Sequence, residues 1–430
     1  MRSCDLKPIK TALFAKDMAL ATDKEILRLV NLPGPRFTKI LQISVILIFF
    51  IFKNFKSSFI KLSKFSLLFI CLLVYDCSPA MITKTIFSLA ASIIKFIIFY
   101  LFFLNAYADT VNKKYEPNEK GILALMYHRF EENKYPSTNI KINIFQKHLD
   151  IIKENNFSFL NPKNFELEFN KVSREKKILL TIDDAFSSFY LNAWPILKRD
   201  KIPFILFVST ESVGKNGYMN WNEIIEISKE DFVFIGNHSH SHEYLVKYEF
   251  KKFREDIIKS RNIFEENLGY NSKFFSYPFG EYSLEQKKYI TENFDYAFGQ
   301  HSGVIDLNKD KYELPRFPIN EKYGDLERFK FLINLLPVQY KIIIPEEKFL
   351  LKSNNPPDLI IEFFNDQPNI NKINCFSNEG GEWKDSKLIY EKNKIKVIFT
   401  EKFLPRRGRI NCSMQDKEGW RWFGTQFTLN

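Results

Sequence analysis

The sequence predicts a parallel α/β fold, a (β/α) barrel, followed by a small C-terminal all-β domain of sandwich type. Three observations carry this reading. Between residues 121 and 293, short apolar runs of strand length alternate with longer stretches of helical spacing. Four of these runs end in residues able to do chemistry or line a groove: His128, the pair Asp183 and Asp184, His238, and the turn at Pro278. In a parallel barrel the C-terminal strand ends form the functional face, so their shared position points to one site. After about residue 340, strand-like runs recur without long helices between them.

In chain order, residues 121–127 are apolar and strand-like and end at His128. Residues 142–155 have helical spacing, with Ile144, Phe145, His148, Leu149 and Ile152 on one face. Residues 177–184 read as a strand, 186–200 as a helical stretch with an internal Pro195, and 203–210 as a strand. A short helix over 221–229, a strand over 232–238 and a long amphipathic helix over 248–268 follow. Residues 273–277 form a strand before the Pro278-Phe279-Gly280 turn, and 283–293 are helical. The C-terminal strands are expected at 342–344, 359–364, 395–400, 409–414 and 420–427.

The chain of 430 residues carries a net charge of +11. Residues 1–108 account for +9 of it and the remainder for only +2. The basic pI therefore reflects residues flanking hydrophobic segments and gives no argument for a nucleic-acid partner. Residues 96–104 are apolar, follow Lys95, and precede Ala106-Tyr107-Ala108. A basic flank, a short apolar core and a small-x-small site predict a signal peptide over 81–108, cleaved after Ala108, and hence an exported chain. An uncleaved membrane anchor over 86–104 is the competing reading. Residues 1–80 are either an upstream extension from a mis-assigned start, Met81 being the true one, or real membrane segments at 41–52 and 65–75. Both segments are short for a span. Residues 109–119 are a polar linker, 120–338 the barrel domain and 339–430 the accessory β-domain. Only Cys375 and Cys412 lie beyond the cleavage site, and an isolated pair in an exported chain is a disulfide candidate, against two buried free thiols.

The chemistry concentrates in Thr181-Ile182-Asp183-Asp184-Ala185 and His238-Ser239-His240-Ser241-His242. One Asp with two His is a facial metal-ligand set that leaves positions open for water and substrate. The spare Asp is a candidate general base, so the set suggests metal-assisted hydrolysis. Two adjacent Asp at a strand end are more often a helix N-cap; the His pair and the common strand-end position weigh toward catalysis. His238 and His242 share a face if the chain turns helical there, with His240 pointing away. His148 and His301 are not expected to be ligands. Trp221 lines a groove or packs in the core, and Trp420 and Trp422 share one face of a strand, sandwich core being the safer reading over a carbohydrate platform.

These motifs resemble the polysaccharide deacetylase family with the NodB homology domain. The Thr-Ile-Asp-Asp-Ala segment resembles its Thr-Phe-Asp-Asp-Gly motif, His238-Ser239-x-x-His242 its His-Ser/Thr-x-x-His motif, and Phe275-Ser276-Tyr277-Pro278-Phe279-Gly280 its groove-lining loop. Leu125-Met126-Tyr127-His128-Arg129 is similar to the first strand of the poly-N-acetylglucosamine deacetylase branch. The resemblance implies a distorted (β/α) barrel and one divalent metal ion, zinc being expected, held by Asp184, His238 and His242. It implies Asp183 as the base that activates water and His128 as the acid for the departing amine. Arg316 would orient Asp183, because Ser276 stands where many members have Arg. Tyr277, Pro278 and Phe279 would contact substrate, with Trp221 a further candidate. Ala185 replaces a Gly, which strains the turn if that backbone needs positive φ. The implied partner is an acetylated amino-sugar polysaccharide resembling poly-N-acetylglucosamine, chitin or peptidoglycan, losing its N-acetyl groups. O-acetyl ester hydrolysis and a non-catalytic carbohydrate-binding protein are the alternatives. Membrane association would come only through an uncleaved N-terminal segment.

Overall fold

The computed structural model describes residues 114–430. The expected N-terminal extension, the signal segment and the start of the linker lie outside the described residues. Among the described residues no helix is long and apolar enough to cross a membrane. The remaining linker residues are fastened down: Glu116 exchanges two backbone hydrogen bonds with the Gln339 side chain, 2.8 and 2.7 Å. The Glu119 carboxylate accepts from the Ser173 and Gly121 amides.

Of the eight strands in the barrel sheet among the described residues, seven form its continuous order, β1 (Ile122–Tyr127), β2 (Lys177–Asp183), β3 (Phe204–Val208), β4 (Val233–Asn237), β5 (Phe274–Ser276), β6 (Tyr296–Phe298) and β7 (Phe317–Pro318), and the short strand Ser158–Phe159 pairs with the start of β2. The seven pair in parallel in the order β7-β1-β2-β3-β4-β5-β6. Phe298 at the end of β6 bridges Leu314, three residues before β7, so the segment leading into β7 links the two edges of the sheet. That is a distorted barrel, as expected. Strands β1 to β3 are buried on both faces and hence read as continuous apolar runs.

The helices on the outside are α1 (Ile142–Glu154), α2 (Trp194–Asp200), α3 (Trp221–Ser228), α4 (Phe250–Leu268), α5 (Leu284–Thr291) and α6 (Leu326–Ile333). The expected helical stretch over 186–200 is present from residue 187 to 200, with a π-helical turn, Phe189–Ala193, leading into α2. Pro195 sits in the first turn of α2, where its missing N–H costs nothing. Asn220 and Ser283 cap α3 and α5 with reciprocal capping boxes. His148 is in the core: its Nε2 donates to the Gly324 carbonyl, its Nδ1 accepts from the Tyr127 hydroxyl, and its ring stacks on Phe329 at 3.8 Å.

Beyond α6 the chain is all β. Leu336–Pro337 (β8), Asn374–Ser377 (β11), Arg407–Asp416 (β14) and Gly419–Leu429 (β15) belong to one sheet. Ile342–Ile344 (β9), Leu359–Glu362 (β10), Lys387–Glu391 (β12) and Lys394–Ile398 (β13) form the other. Residues of both sheets share one apolar cluster, including Ile343, Leu359, Ile361 and Val397 facing Ile410, Met414, Phe423 and Phe427, which is a sandwich-like arrangement. Cys375 and Cys412 stand opposite each other on β11 and β14 and are joined by a disulfide. The sandwich-core reading of the two tryptophans is corrected. Trp422 packs on the barrel core and donates its indole N–H to Ser302 at 2.9 Å, while Trp420 remains 40% exposed.

Candidate active site

Strand β2 ends at Asp183, and the next two residues take left-handed backbone, φ 75° at Asp184 and 51° at Ala185. Successive side chains on a strand point to opposite faces, so two neighbouring carboxylates meet one site only if the chain bends between them. The left-handed pair supplies that bend. Ala185 therefore does sit where Gly is the easier residue, and its side chain is buried.

Asp183 is fully buried and held by Arg316, which is itself fully buried. The Arg316 guanidinium donates to both carboxylate oxygens of Asp183, at 2.7 and 2.9 Å. Its other N–H groups reach the Gly299 carbonyl, the Thr181 hydroxyl and the Ser276 hydroxyl at 3.0, 3.1 and 2.8 Å. All five donors thus have acceptors, as a fully buried guanidinium requires. The small Ser276 leaves room for the arginine that arrives from the other edge of the sheet and supplies one of its acceptors. Burial pushes the Asp183 pKa up, but the Arg316 charge and its hydrogen bonds outweigh it and bring it down to about 2.

His238 follows β4 and is fully buried. Its Nδ1 donates to the Ser276 carbonyl at 2.7 Å, which fixes the tautomer and leaves a lone pair on Nε2. That Nε2 is buried with no hydrogen-bond partner. It lies 3.5 Å from Asp184 Oδ1, and the same oxygen lies 3.2 Å from His242 Nε2. Burial lowers the His238 pKa to about 4, so the ring is neutral.

The chain between the two histidines is not helical, contrary to the expectation from their spacing. They meet because Ser239 and His242 adopt positive φ, 68° and 53°. Five of the ten non-glycine residues with positive φ among the described residues lie here: Asp184, Ala185, Ser239, His242 and Phe279. Such strain gathers where the surroundings over-determine a conformation for use. The ties are specific. The Asn237 side chain accepts from Ser239 N–H, Ser239 Oγ accepts from His242 N–H, and Asp256 accepts from the amides of His240 and Ser241 at 2.8 and 3.0 Å. His240 turns away to Thr210, 2.8 Å from Nδ1.

Sequence reasoning missed Asp256, yet it left a signal. On α4 the buried positions are Phe253, Asp256, Ile257, Ser260 and Phe264, so two polar residues fall in the apolar stripe. Both serve the histidine loop: Ser260 accepts from Asn237 Nδ2 at 2.7 Å.

His128 follows β1, partly exposed, and register sets Tyr127 beside Ile182 on β2. Burial lowers its pKa, opposed by the nearby charges of Asp183 and Asp184. Of the expected groove residues, Tyr277 is inside, packed on Phe275 and Tyr282. Pro278 is buried as well, and Trp221 packs edge-on against Phe264 in the core. Phe279 alone of the three loop residues is partly exposed, with its ring 4.7 Å from that of His242. The disulfide lies in the C-terminal sheet, away from this chemistry. His301 carries a pKa lowered to about 4 by burial and is not part of the cluster.

The ligand atoms of Asp184, His238 and His242 all lie within 4.8 Å of one another. An unpartnered buried imidazole nitrogen, a second imidazole and a carboxylate converging on one point fit a divalent cation. The second nitrogen of His238 is already anchored to a carbonyl, as metal-bound imidazoles require.

Comparison with known proteins agrees with the geometry. Residues 170–298 match the model of the polysaccharide deacetylase family. The chain is 24% identical over 247 residues to the poly-beta-1,6-N-acetyl-D-glucosamine N-deacetylase of Staphylococcus epidermidis, covering 50% of this chain and 85% of the relative. The Staphylococcus aureus enzyme of the same name is 24% identical over 243 residues, covering 50% and 83%. The structure of IcaB from Ammonifex degensii aligns with a TM-score of 0.46 and 24% identity, over 50% of this chain and 98% of that one. The matched family segment contains both aspartates, both histidines and the Phe279 loop, and the chain thus carries a polysaccharide deacetylase domain of the NodB homology type.

Proposed function

We propose that this chain is an exported, metal-dependent N-deacetylase of an acetylated amino-sugar polymer, a poly-N-acetylglucosamine-like chain being the first substrate to test. The observation that carries the proposal is the buried lone pair of His238, facing Asp184 and His242 beside an aspartate locked by arginine. Asp184, His238 and His242 would hold the ion, with zinc the expected one. When bound, a divalent cation supplies Lewis-acid polarisation of an acetamide carbonyl and eases the ionisation of water. Asp183 takes the proton from the attacking water. Arg316 fixes the direction of that carboxylate and keeps it ionised. His128, across the strand pair from Asp183, returns a proton to the departing amine, releasing acetate and a free amino sugar. Phe279 forms an apolar wall beside His242.

The test is acetate release from poly-β-1,6-N-acetylglucosamine, chitin oligomers and peptidoglycan, with and without added Zn²⁺. Metal-stimulated release from at least one N-acetylated polymer is expected. Release only from O-acetylated glycans would replace the amidase reading with an esterase, and binding without release would leave a carbohydrate-binding protein. N-terminal sequencing of the mature protein should begin at Asp109; a retained 96–108 segment would make the export signal an anchor.

A further inference from the structure

The loop Pro278–Gly280 places Phe279 against His242, and residues from the C-terminal sheet hold that loop. Phe279 has φ 61° and Gly280 φ 70°. A Cβ on Gly280 would stand 2.5 Å from the Gln300 amide nitrogen, so the chain passes close to its neighbour there. A strained phenylalanine persists only where its surroundings fix it. Gln426 on β15 donates its side-chain amide to the carbonyls of Phe279 and Gly280, at 3.3 and 3.2 Å. Glu281, nearly fully buried, pairs with the Nε of Arg406 at 2.8 Å and of Arg407 at 2.6 Å, at the start of β14. The same guanidinium groups lie over the Phe279 ring, at 4.5 and 5.7 Å. Arg406 also covers Tyr244 at 3.5 Å, and Tyr244 meets Phe279 at 4.7 Å.

Phe279 is therefore enclosed by His242, Tyr244 and two arginines from a sheet that the family match at 170–298 does not reach. Breaking a buried carboxylate's pairs with two arginines leaves uncompensated charge. This one is placed directly behind a ring that touches the histidine cluster.

We propose that the C-terminal β-domain is a working part of the metal site: Arg406, Arg407 and Gln426 hold the Phe279–Glu281 loop, and Phe279 sets the ring of His242. The arginines and Gln426 are positioning residues, two contacts removed from the cation. The inference rests on the reading that Asp184, His238 and His242 hold a divalent ion.

The experiment uses the full chain and Zn²⁺ alone, with affinity measured by competition against a chelating dye. Arg407→Ala and Gln426→Leu should each weaken Zn²⁺ binding about tenfold, the scale typical of groups that orient metal ligands. Both should lower kcat with KM unchanged, and the thermal transition should stay cooperative. Arg407→Lys keeps the charge opposite Glu281 and should recover part of the lost affinity. Parental Zn²⁺ affinity and kcat in a folded Arg407→Ala protein would overturn the proposal. Should that variant fail to fold, Gln426→Leu decides, because it removes the two loop contacts, together with the 3.0 Å bond from Arg409 Nε, and leaves the Glu281 pairs in place. A parent chain that binds no Zn²⁺ would remove the metal reading itself, an outcome distinct from unchanged variants of a Zn²⁺-binding parent.

Discussion

Asp183 is enclosed by Arg316 while Asp184 faces two histidines, and the two should fail differently when altered. Asp183→Asn should retain Zn²⁺ and lose about 10²–10⁴ in the rate of acetate release, the usual cost of a general base. It should also lose about 3 kcal/mol of stability, because the buried Arg316 keeps its charge and loses its partner. Asp184→Asn should instead lose Zn²⁺ affinity and recover activity in part at high Zn²⁺. Metal content and acetate release of both variants check the assignment; metal lost from the Asp183→Asn protein and kept in the Asp184→Asn protein would reverse the roles. At the adjoining position, Ala185→Gly relieves left-handed backbone at φ 51°. The relief, reduced by the greater freedom of glycine in the unfolded chain, should raise stability by about 0.5–1 kcal/mol in urea unfolding.

The histidine loop and the helix behind it form one element of the site. Asp256 on α4 accepts from two consecutive loop amides, at His240 and Ser241. Asp256→Ala should weaken Zn²⁺ binding about tenfold without touching a ligand, measured as for the parent. In the C-terminal sheet, the Cys375–Cys412 bond joins facing positions on β11 and β14 and spans 37 residues. Closing such a loop contributes about 3–4 kcal/mol in the chain-entropy model. Reduction should lower the unfolding midpoint accordingly, and two alkylatable thiols in native oxidised protein would contradict the bond.

Across the whole molecule, acid stability depends on a charge cluster between the barrel and the C-terminal strands. Burial raises the Glu313 pKa, but Lys287 at 2.9 Å, Lys348 and the Tyr282 hydroxyl at 2.6 Å hold it well below the usual carboxylate range. A carboxylate with a depressed folded pKa adds stability above its unfolded value near 4.5, and that stability is lost as pH falls below it. Glu313→Gln should therefore be less stable than the parent by about 3 kcal/mol at pH 7, with the difference narrowing in unfolding curves at pH 3.

Residue pattern alone was enough for the strand-and-helix alternation, the position of Asp183, Asp184 and His238 at strand ends, and the candidacy of Cys375 and Cys412 as a pair, which the fold then joins. These were legible because burial on both faces produces apolar runs, and the site residues interrupt those runs abruptly. Strands β6 and β7 were not legible, being three and two residues long, too short to show a period. Helix α6 was missed although its N-cap, Asp325, is of the usual kind. How neighbouring aspartates reach one point emerged only from the folded chain, since left-handed backbone at Asp184 and Ala185 leaves no mark in residue type. The same holds for the bent loop through which His238 and His242 meet; Arg316 was expected beside Asp183 from the family resemblance, but that its five acceptors come from three separate segments of the chain emerged only from the fold. Gln426 and Arg407 illustrate the same limit. They lie more than 120 residues from the loop they hold, and contacts of that range follow from the packing of whole sheets, which local sequence pattern does not encode.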